Sequence, residues 1–451
     1  MGHTLSLQVR SLGILIAWSL GLISPAAFAA GTPPNRQFLV PIFEEASDSY
    51  SVPLSLLESI GFVESRWQQA QAHSHSASHQ VNSDWGVMGL DGTDGTSGTL
   101  ATAAALLGLP KERLMHEARP NILGAAAVLH QLALQHLGVS EHDIHDSSNP
   151  ASARFQALKN DPLAWSDIVL AYTGLPRSSR PDVLEPSELY LYDVYNLVMH
   201  GREPSAGDPG DDVVIPKDGR VSSLPAEWTR HVDVAAVNSV THPTLAGLNI
   251  IQSRADAGNC SYVGARPFRF IVIHDTEGTF PGALQVLKHG EPGKLRSANY
   301  LIRSHDGLIA ELVDPDRGYA WHASNWNPIS IGIEHEAKDM LQNGWYTRTM
   351  YESSGKLVRF LAAKYGIPFD REHIFGHNFW RMEEYRTSPM RAYLRSQGKP
   401  QKQTHVDPGP LWRWDLYFDF LRGDNHAFEN LSSTQTQVFT RDPHPITRGN
   451  W

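Results

Sequence analysis

The run Phe268-Arg269-Phe270-Ile271-Val272-Ile273-His274 is the feature that most limits how this chain can fold. A strand turns successive side chains to opposite faces, and here both faces are nearly all apolar. Such a strand needs cover above and below, which places it in the middle of a sheet with elements packed on both sides. It stops abruptly on His274, Asp275 and Thr276, just ahead of Gly278. Strands hand over to loops at such points, and loops on a rigid scaffold carry binding and catalytic groups. Taken alone, His274 reads as a hydrogen-bonded core histidine.

The surroundings extend this picture. Residues 298–302, 308–313 and 330–334 have strand patterns. Residues 350–365 read as an amphipathic helix stopped by Gly366 and Pro368. Upstream, 53–67, 100–107, 121–137 and 165–172 carry apolar residues at helical spacing. The stretch 201–225 is rich in Pro, Gly and Asp and reads as a linker. With 451 residues the chain is long enough for two or three domains. The expectation is a mainly α domain over 36–200, a linker and lead-in over 201–248, an α/β domain over 249–422 with a central mixed sheet flanked by helices, and a polar tail over 423–451.

Charge and leader narrow the class. A net charge of -10 argues against nucleic-acid binding, which calls for a basic face. Arg10, the apolar run 12–22, Pro25 and then Ala27-Phe28-Ala29 have the layout of a secretory signal with its cleavage site, over 1–29. The run is shorter than the ~20 residues that span a bilayer, and no later segment is long and apolar enough. The expectation is an exported mature chain, periplasmic or extracellular, without a membrane span. Cys260, the single cysteine, can form no internal disulfide, so the fold must rest on its cores or on a metal.

Two later stretches change the reading of His274. One is Ile374-Phe375-Gly376-His377; the other is His405-Val406-Asp407-Pro408-Gly409-Pro410. Each sets a possible metal ligand beside a tight backbone turn. Two imidazoles and a carboxylate are a ligand set of catalytic zinc, with the fourth position left to water. Other histidines compete. His373 and His377 have the i,i+4 spacing of a helical zinc motif, but Ile374, Phe375 and Gly376 argue against a helix there. His335 on an alternating strand would face away from Glu334. His289 and His305 read as surface or loop residues.

The ordered motifs IVIHDTEG, SANYLIRSHDGLIAELV, AWHASNWNPISIGIEHE, IFGHN and HVDPGP resemble the zinc-dependent N-acetylmuramoyl-L-alanine amidases, a family that includes phage-type amidases and is similar to peptidoglycan recognition proteins. The resemblance covers roughly 249–421. It implies zinc on His274, His377 and Asp407, with Glu334 near the water that attacks the substrate. A carboxylate there can take the water's proton and pass it to the leaving amine. Many members have Lys two residues before the Asp ligand; here it is His405, whose imidazole can donate to the oxyanion. Asn299 stands where members often have His, with Tyr300 kept. Tyr300 and His322 are implied as substrate contacts.

Upstream, Val63-Glu64-Ser65, then Gly86-Val87-Met88-Gly89-Leu90, then Arg119-Pro120-Asn121-Ile122-Leu123-Gly124-Ala125, then Ala171-Tyr172-Thr173-Gly174 resembles the lytic transglycosylases, relatives of goose-type lysozyme. The cover is roughly 38–174. It implies a lysozyme-like helical fold, Glu64 as catalytic acid and Tyr172 in the glycan cleft. The family's Gly-Leu-Met-Gln is Gly86-Val87-Met88-Gly89 here, and Thr173 replaces an Asn. Both changes remove amides that would contact sugar. The two resemblances together imply a peptidoglycan hydrolase that cleaves between N-acetylmuramic acid and L-alanine of the stem peptide. A non-catalytic wall-binding protein and a zinc peptidase acting within the stem are the alternatives.

Overall fold

The computed structural model describes residues 36–69, 84–92, 98–177, 185–203, 212–229, 247–291, 293–337, 344–401, 405–429 and 431. The expected leader over 1–29 lies outside the described residues. The helical region is organised around α1 (Val40–Tyr50), α2 (Leu54–Ser65), α3 (Ala118–Leu137), α4 (Ser166–Thr173) and α5 (Pro186–His200). Every residue of α2 from Ser55 to Ser65 is buried, so it is the central helix rather than a half-exposed one. It stops because Arg66 takes φ +56° and turns its N–H back to the Phe62 carbonyl.

Residues 212–229 correct the linker expectation. Val213, Ile215, Val221 and Trp228 are buried in the same core as α2 and α5. Arg202 bridges to Ile215, and the Trp228 ring packs 5.2 Å from that of Tyr195. Four apolar residues spaced among Pro, Gly and Asp are enough to pin the segment back onto the helices, although the local composition reads as a spacer.

The second region is built on a sheet. Its strands are β1 (Ile250–Gln252), β2 (Phe270–Ile273), β3 (Tyr300–Ile302), β4 (Ile309–Glu311), β5 (Ser330–His335) and β6 (Ile374–Gly376). They lie in the order β6-β2-β5-β3-β4-β1. All neighbouring pairs are parallel except β3 with β4, so the sheet is mixed as expected. The apolar run becomes β2, buried at each position and hydrogen-bonded on both sides.

Two covers account for that burial. Helix α6 (Phe280–His289) packs with Leu301 and Ala310 on one face, where Phe270, Val272 and Phe375 form a further cluster with Trp326 and Phe379. On the other face, α7 (Arg348–Tyr365) and α8 (Trp414–Leu421) cover Ile271, Ile273, Ile331 and Ile333. The α7 cap is Thr347, whose hydroxyl accepts from the Met350 N–H, and the helix ends at Gly366 with φ +68°. The start of the expected tail also belongs to this core: Phe428 stacks on Tyr351 at 5.0 Å.

Helix α5 serves both regions. Tyr190, Val194 and Val198 pack into the helical core, whereas Leu189 belongs to the cluster around Phe280 and Leu284. Two buried ion pairs cross between the regions: Lys288 with Glu185 at 2.7 Å and Arg303 with Asp193 at 2.8 Å. The described residues form one compact unit. The two expected domains are therefore fused along a wall rather than tethered by a spacer.

Candidate metal centre

Three loops deliver the three expected ligands to one point. His274 directly follows β2, His377 directly follows β6, and Asp407 comes from the 405–410 loop. Because β2 and β6 are parallel neighbours, their ends emerge side by side. The third loop can approach only because residue 376 is glycine. A Cβ there would meet the Pro408 ring at 2.6 Å and the Asp407 carbonyl at 3.2 Å. The Asn378 N–H donates to that same carbonyl at 3.1 Å, which fixes the Asp407 backbone.

Donor atoms of His274, His377 and Asp407 all lie within 4.8 Å of one another, and all three residues are buried. A tetrahedral ion with bonds near 2.1 Å needs donors about 3.4 Å apart. His274 Nδ1 is 2.8 Å from one Asp407 oxygen, and His377 Nδ1 is 3.5 Å from the other. Burial would raise the Asp407 carboxyl, but His377 and His274 outweigh it and hold it well below the usual carboxylate range. Burial, more strongly than Asp407 opposes it, keeps His377 well below the usual imidazole range. An ionised carboxylate beside a neutral imidazole is the protonation state that metal binding requires. The donor set fits a divalent metal.

Glu334 lies on β5 next to this cluster. The register pairs Ile273 with Ile333, so the residue after each strand pair, His274 and Glu334, share a level and a face. Glu334 is buried, and its Oε2 has no hydrogen-bond partner among the described residues. Burial, then the Asp407 and Asp275 carboxylates, push it well above the usual carboxylate range. His405 stacks on the His377 ring with centroids 3.9 Å apart. Burial lowers it to about 4, so the imidazole is neutral at neutral pH and can act only as an N–H donor, not as a cation.

Two implied substrate contacts are placed elsewhere. His322 does not line the cleft. It is 3% exposed, and its Nδ1 sits 3.0 Å from His274 Nε2, on the side away from Asp407. Room for its ring exists because residue 332 is glycine; a Cβ would lie 2.3 Å from it. An outer partner of this kind fixes the orientation of a ligating imidazole. Tyr300 does not line the site either. It is 5% exposed and pairs with Ile333, so the two-residue period turns it into the core under α7, opposite Glu334. Asn299 bridges strands instead: its Oδ1 accepts from the Gly332 N–H and its Nδ2 donates to the Val313 carbonyl.

The competing histidines are accounted for. Residues 374–376 are a strand, so His373 and His377 share no helix. His335 faces the other side, bonded to the His274 carbonyl and Ser354, and packed on Trp412. Sequence reasoning missed Tyr346, whose hydroxyl lies 2.6 Å from both the Asp275 carboxylate and the Pro408 carbonyl. It also missed Arg296, a cation that acts on Glu334 and His405. No spacing marks either one; only the fold brings them in.

The helical region gathers its own four motifs around the loop 86–89. Ser65 Oγ donates to the Val87 carbonyl, Tyr172 OH to the Met88 carbonyl, and Asn121 Oδ1 accepts from the Met88 N–H. Glu64 is 5% exposed and accepts from Tyr190 OH at 2.7 Å. Gly89, at φ +60°, packs against that carboxylate, and a Cβ would stand 2.3 Å from its Oε2. Glu64 and Tyr172 line one cavity, and none of the three metal ligands is among its lining residues.

Residues 264–410, which contain every metal-centre residue above, match the family model described as N-acetylmuramoyl-L-alanine amidase. N-acetylmuramoyl-L-alanine amidase A of Achromobacter lyticus is 28% identical over 159 residues, covering 34% of this chain and 82% of that protein. A mutant endolysin from Bacillus subtilis is 20% identical, covers 39% of this chain and 99% of its own, and has a TM-score of 0.26. The E. coli amidase AmiD, solved with anhydro-N-acetylmuramic acid-L-Ala-D-gamma-Glu-L-Lys, is 21% identical over 31% of this chain and 60% of its own, with a TM-score of 0.22. Residues 264–410 are thus similar to N-acetylmuramoyl-L-alanine amidases, and the chain is an amidase enzyme through them.

Proposed function

We propose that the chain is a zinc-dependent peptidoglycan hydrolase. It cleaves the amide joining the lactyl group of N-acetylmuramic acid to L-alanine, while the helical region holds the glycan strand. The observation that carries this is the convergence of His274, His377 and Asp407 beside a buried Glu334. Zinc, held by those three side chains, would supply Lewis acidity toward the attacking water and the scissile carbonyl.

The chain's own groups would do the rest. Glu334, already raised by burial, would take the proton of the attacking water and return it to the leaving amine. A group of raised pKa suits both halves of that transfer near neutral pH. The neutral His405 would donate its N–H to the developing oxyanion. His322 would hold His274 in the tautomer that leaves Nδ1 toward Asp407. Glu64, with Tyr190 donating to it, would face the glycan. The leader-like segment over 1–29 supports export to the cell wall.

Mass spectrometry of digested peptidoglycan tests the reading. The expected product is a stem peptide with free N-terminal L-alanine. Fragments cut between amino acids of the stem would replace the amidase by a zinc peptidase. No release by the zinc-loaded protein would leave a wall-binding role.

A further inference from the structure

The cavity that holds Glu64 is not built by the helical region alone. Glu64, Gly89, Asp91 and Tyr172 line one side of it, and Thr279, Gly282 and Gln285 of the amidase domain line the other. Its volume is about 210 Å³, below the ~300–1,000 Å³ of full-sized ligand pockets. That suits a short saccharide end rather than a long strand. The two walls are held together by the buried pairs Lys288–Glu185 and Arg303–Asp193. Thr279 comes five residues after the metal ligand His274, so their Cα atoms are at most about 18 Å apart.

The lining points to one ligand chemistry. No lysine or arginine lines the cavity, which argues against a phosphate or another anion. Its carboxylates do not converge on a cation: among the described residues, the only cluster with metal-ligand spacing is His274, His377 and Asp407. What the cavity does offer is carboxylate acceptors, the hydroxyls of Thr173 and Thr279, and the aliphatic faces of Leu175 and Val286. Such a mixture suits a neutral ligand rich in hydroxyls with apolar C–H faces. Gln285 is the one amide present, and its Oε1 is buried with no hydrogen-bond partner among the described residues. A buried acceptor left this way costs free energy until a ligand donor meets it. Gly89, where any side chain would collide with Glu64, can supply no amide from the other wall.

We propose that this cavity is a composite saccharide site, in which Gln285 of the amidase domain accepts from the acetamido N–H or a hydroxyl of an N-acetylated sugar held against Glu64. The inference rests on the reading of the chain as a peptidoglycan amidase and adds where the sugar sits. One rigid body would then grip a glycan end and present the adjoining peptide to the metal centre.

The test is calorimetric titration of the full chain with tri-N-acetylchitotriose. Wild type should bind. Gln285→Ala should weaken binding by about tenfold, as expected for a lost buried hydrogen bond. Gly282→Leu, which fills the cavity without removing a polar group, should weaken it at least as much, with thermal melting checking that both variants fold. Absence of binding by wild type, or equal binding by both folded variants, would overturn the proposal. So would a divalent cation displacing the sugar from the cavity. Stem-peptide release by a protein that binds no chitotriose overturns this inference and leaves the amidase reading standing; sugar binding without release does the reverse.

Discussion

The metal centre and the Glu64 cavity are assembled in different ways. The centre draws its ligands from three loops of one domain, placed by the parallel register of β2 and β6 and by the glycine at 376. The cavity takes walls from two domains and depends on their docking through α5. A site inside one sheet depends on strand order; a site between two cores depends also on everything that fixes their interface. The two should therefore respond differently to mutation, and the comparison can be broken at either end.

The largest effect expected is at Glu334. Glu334→Gln keeps size and removes the proton acceptor, so amide cleavage should fall by about 10²–10⁴-fold, the range of a lost general base. Steady-state kinetics on a soluble muramoyl peptide, with zinc content measured alongside, checks this. A fall of less than tenfold with zinc retained would move the proton transfer to another group.

The interface comes next. Arg303→Met leaves Asp193 and Asp306 without the cation they share, at a cost of about 3–5 kcal/mol. Urea unfolding reads that directly, and the same variant should lose chitotriose binding because the cavity walls are no longer held. A variant of wild-type stability would show that the two regions are not energetically coupled through α5.

Smaller is the effect of His322. His322→Ala removes the group behind His274 and should weaken metal affinity by about 10–100-fold in a chelator competition. Unchanged affinity would return His322 to the role of a packing residue.

The last concerns Glu58, on the same helix as Glu64 but buried without serving a site, where stability rather than activity responds. Burial, and then Glu44, raise it to about 7. A carboxyl raised in the folded state adds stability below its unfolded pKa and loses it as pH climbs through the folded value. Glu58→Gln should match wild type below about pH 4 and exceed it at pH 8 by about 3 kcal/mol. Parallel melting curves for the two proteins would dismiss the idea.

The sequence made the metal centre far easier to read than the cavity, for physical reasons. An apolar run ending on His274 marks a strand end, and Gly376 and Pro408 mark the turns that let two more loops approach. The two-residue period also told Glu334 from His335. The same period, applied to Tyr300, would have placed it in the core; the motif alone could not. His322 lay beyond local pattern, because its neighbour His274 is 48 positions away. The fused interface was hidden for a related reason. Val213, Ile215, Val221 and Trp228 are scattered through a segment whose composition is that of a spacer. Gln285 reads as a polar position on an amphipathic helix until the opposite wall is in view.

The central claim is that His274, His377 and Asp407 hold a zinc ion on which amide cleavage depends. The most direct measurement is zinc content together with stem-peptide release, for wild type, for chelator-treated wild type and for His377→Ala. Wild type should carry about one zinc per chain, with zinc and release lost together in the other two and release restored when zinc is added back to the chelated protein. Full release by the zinc-free protein, or a His377→Ala variant that keeps both zinc and activity, would contradict it.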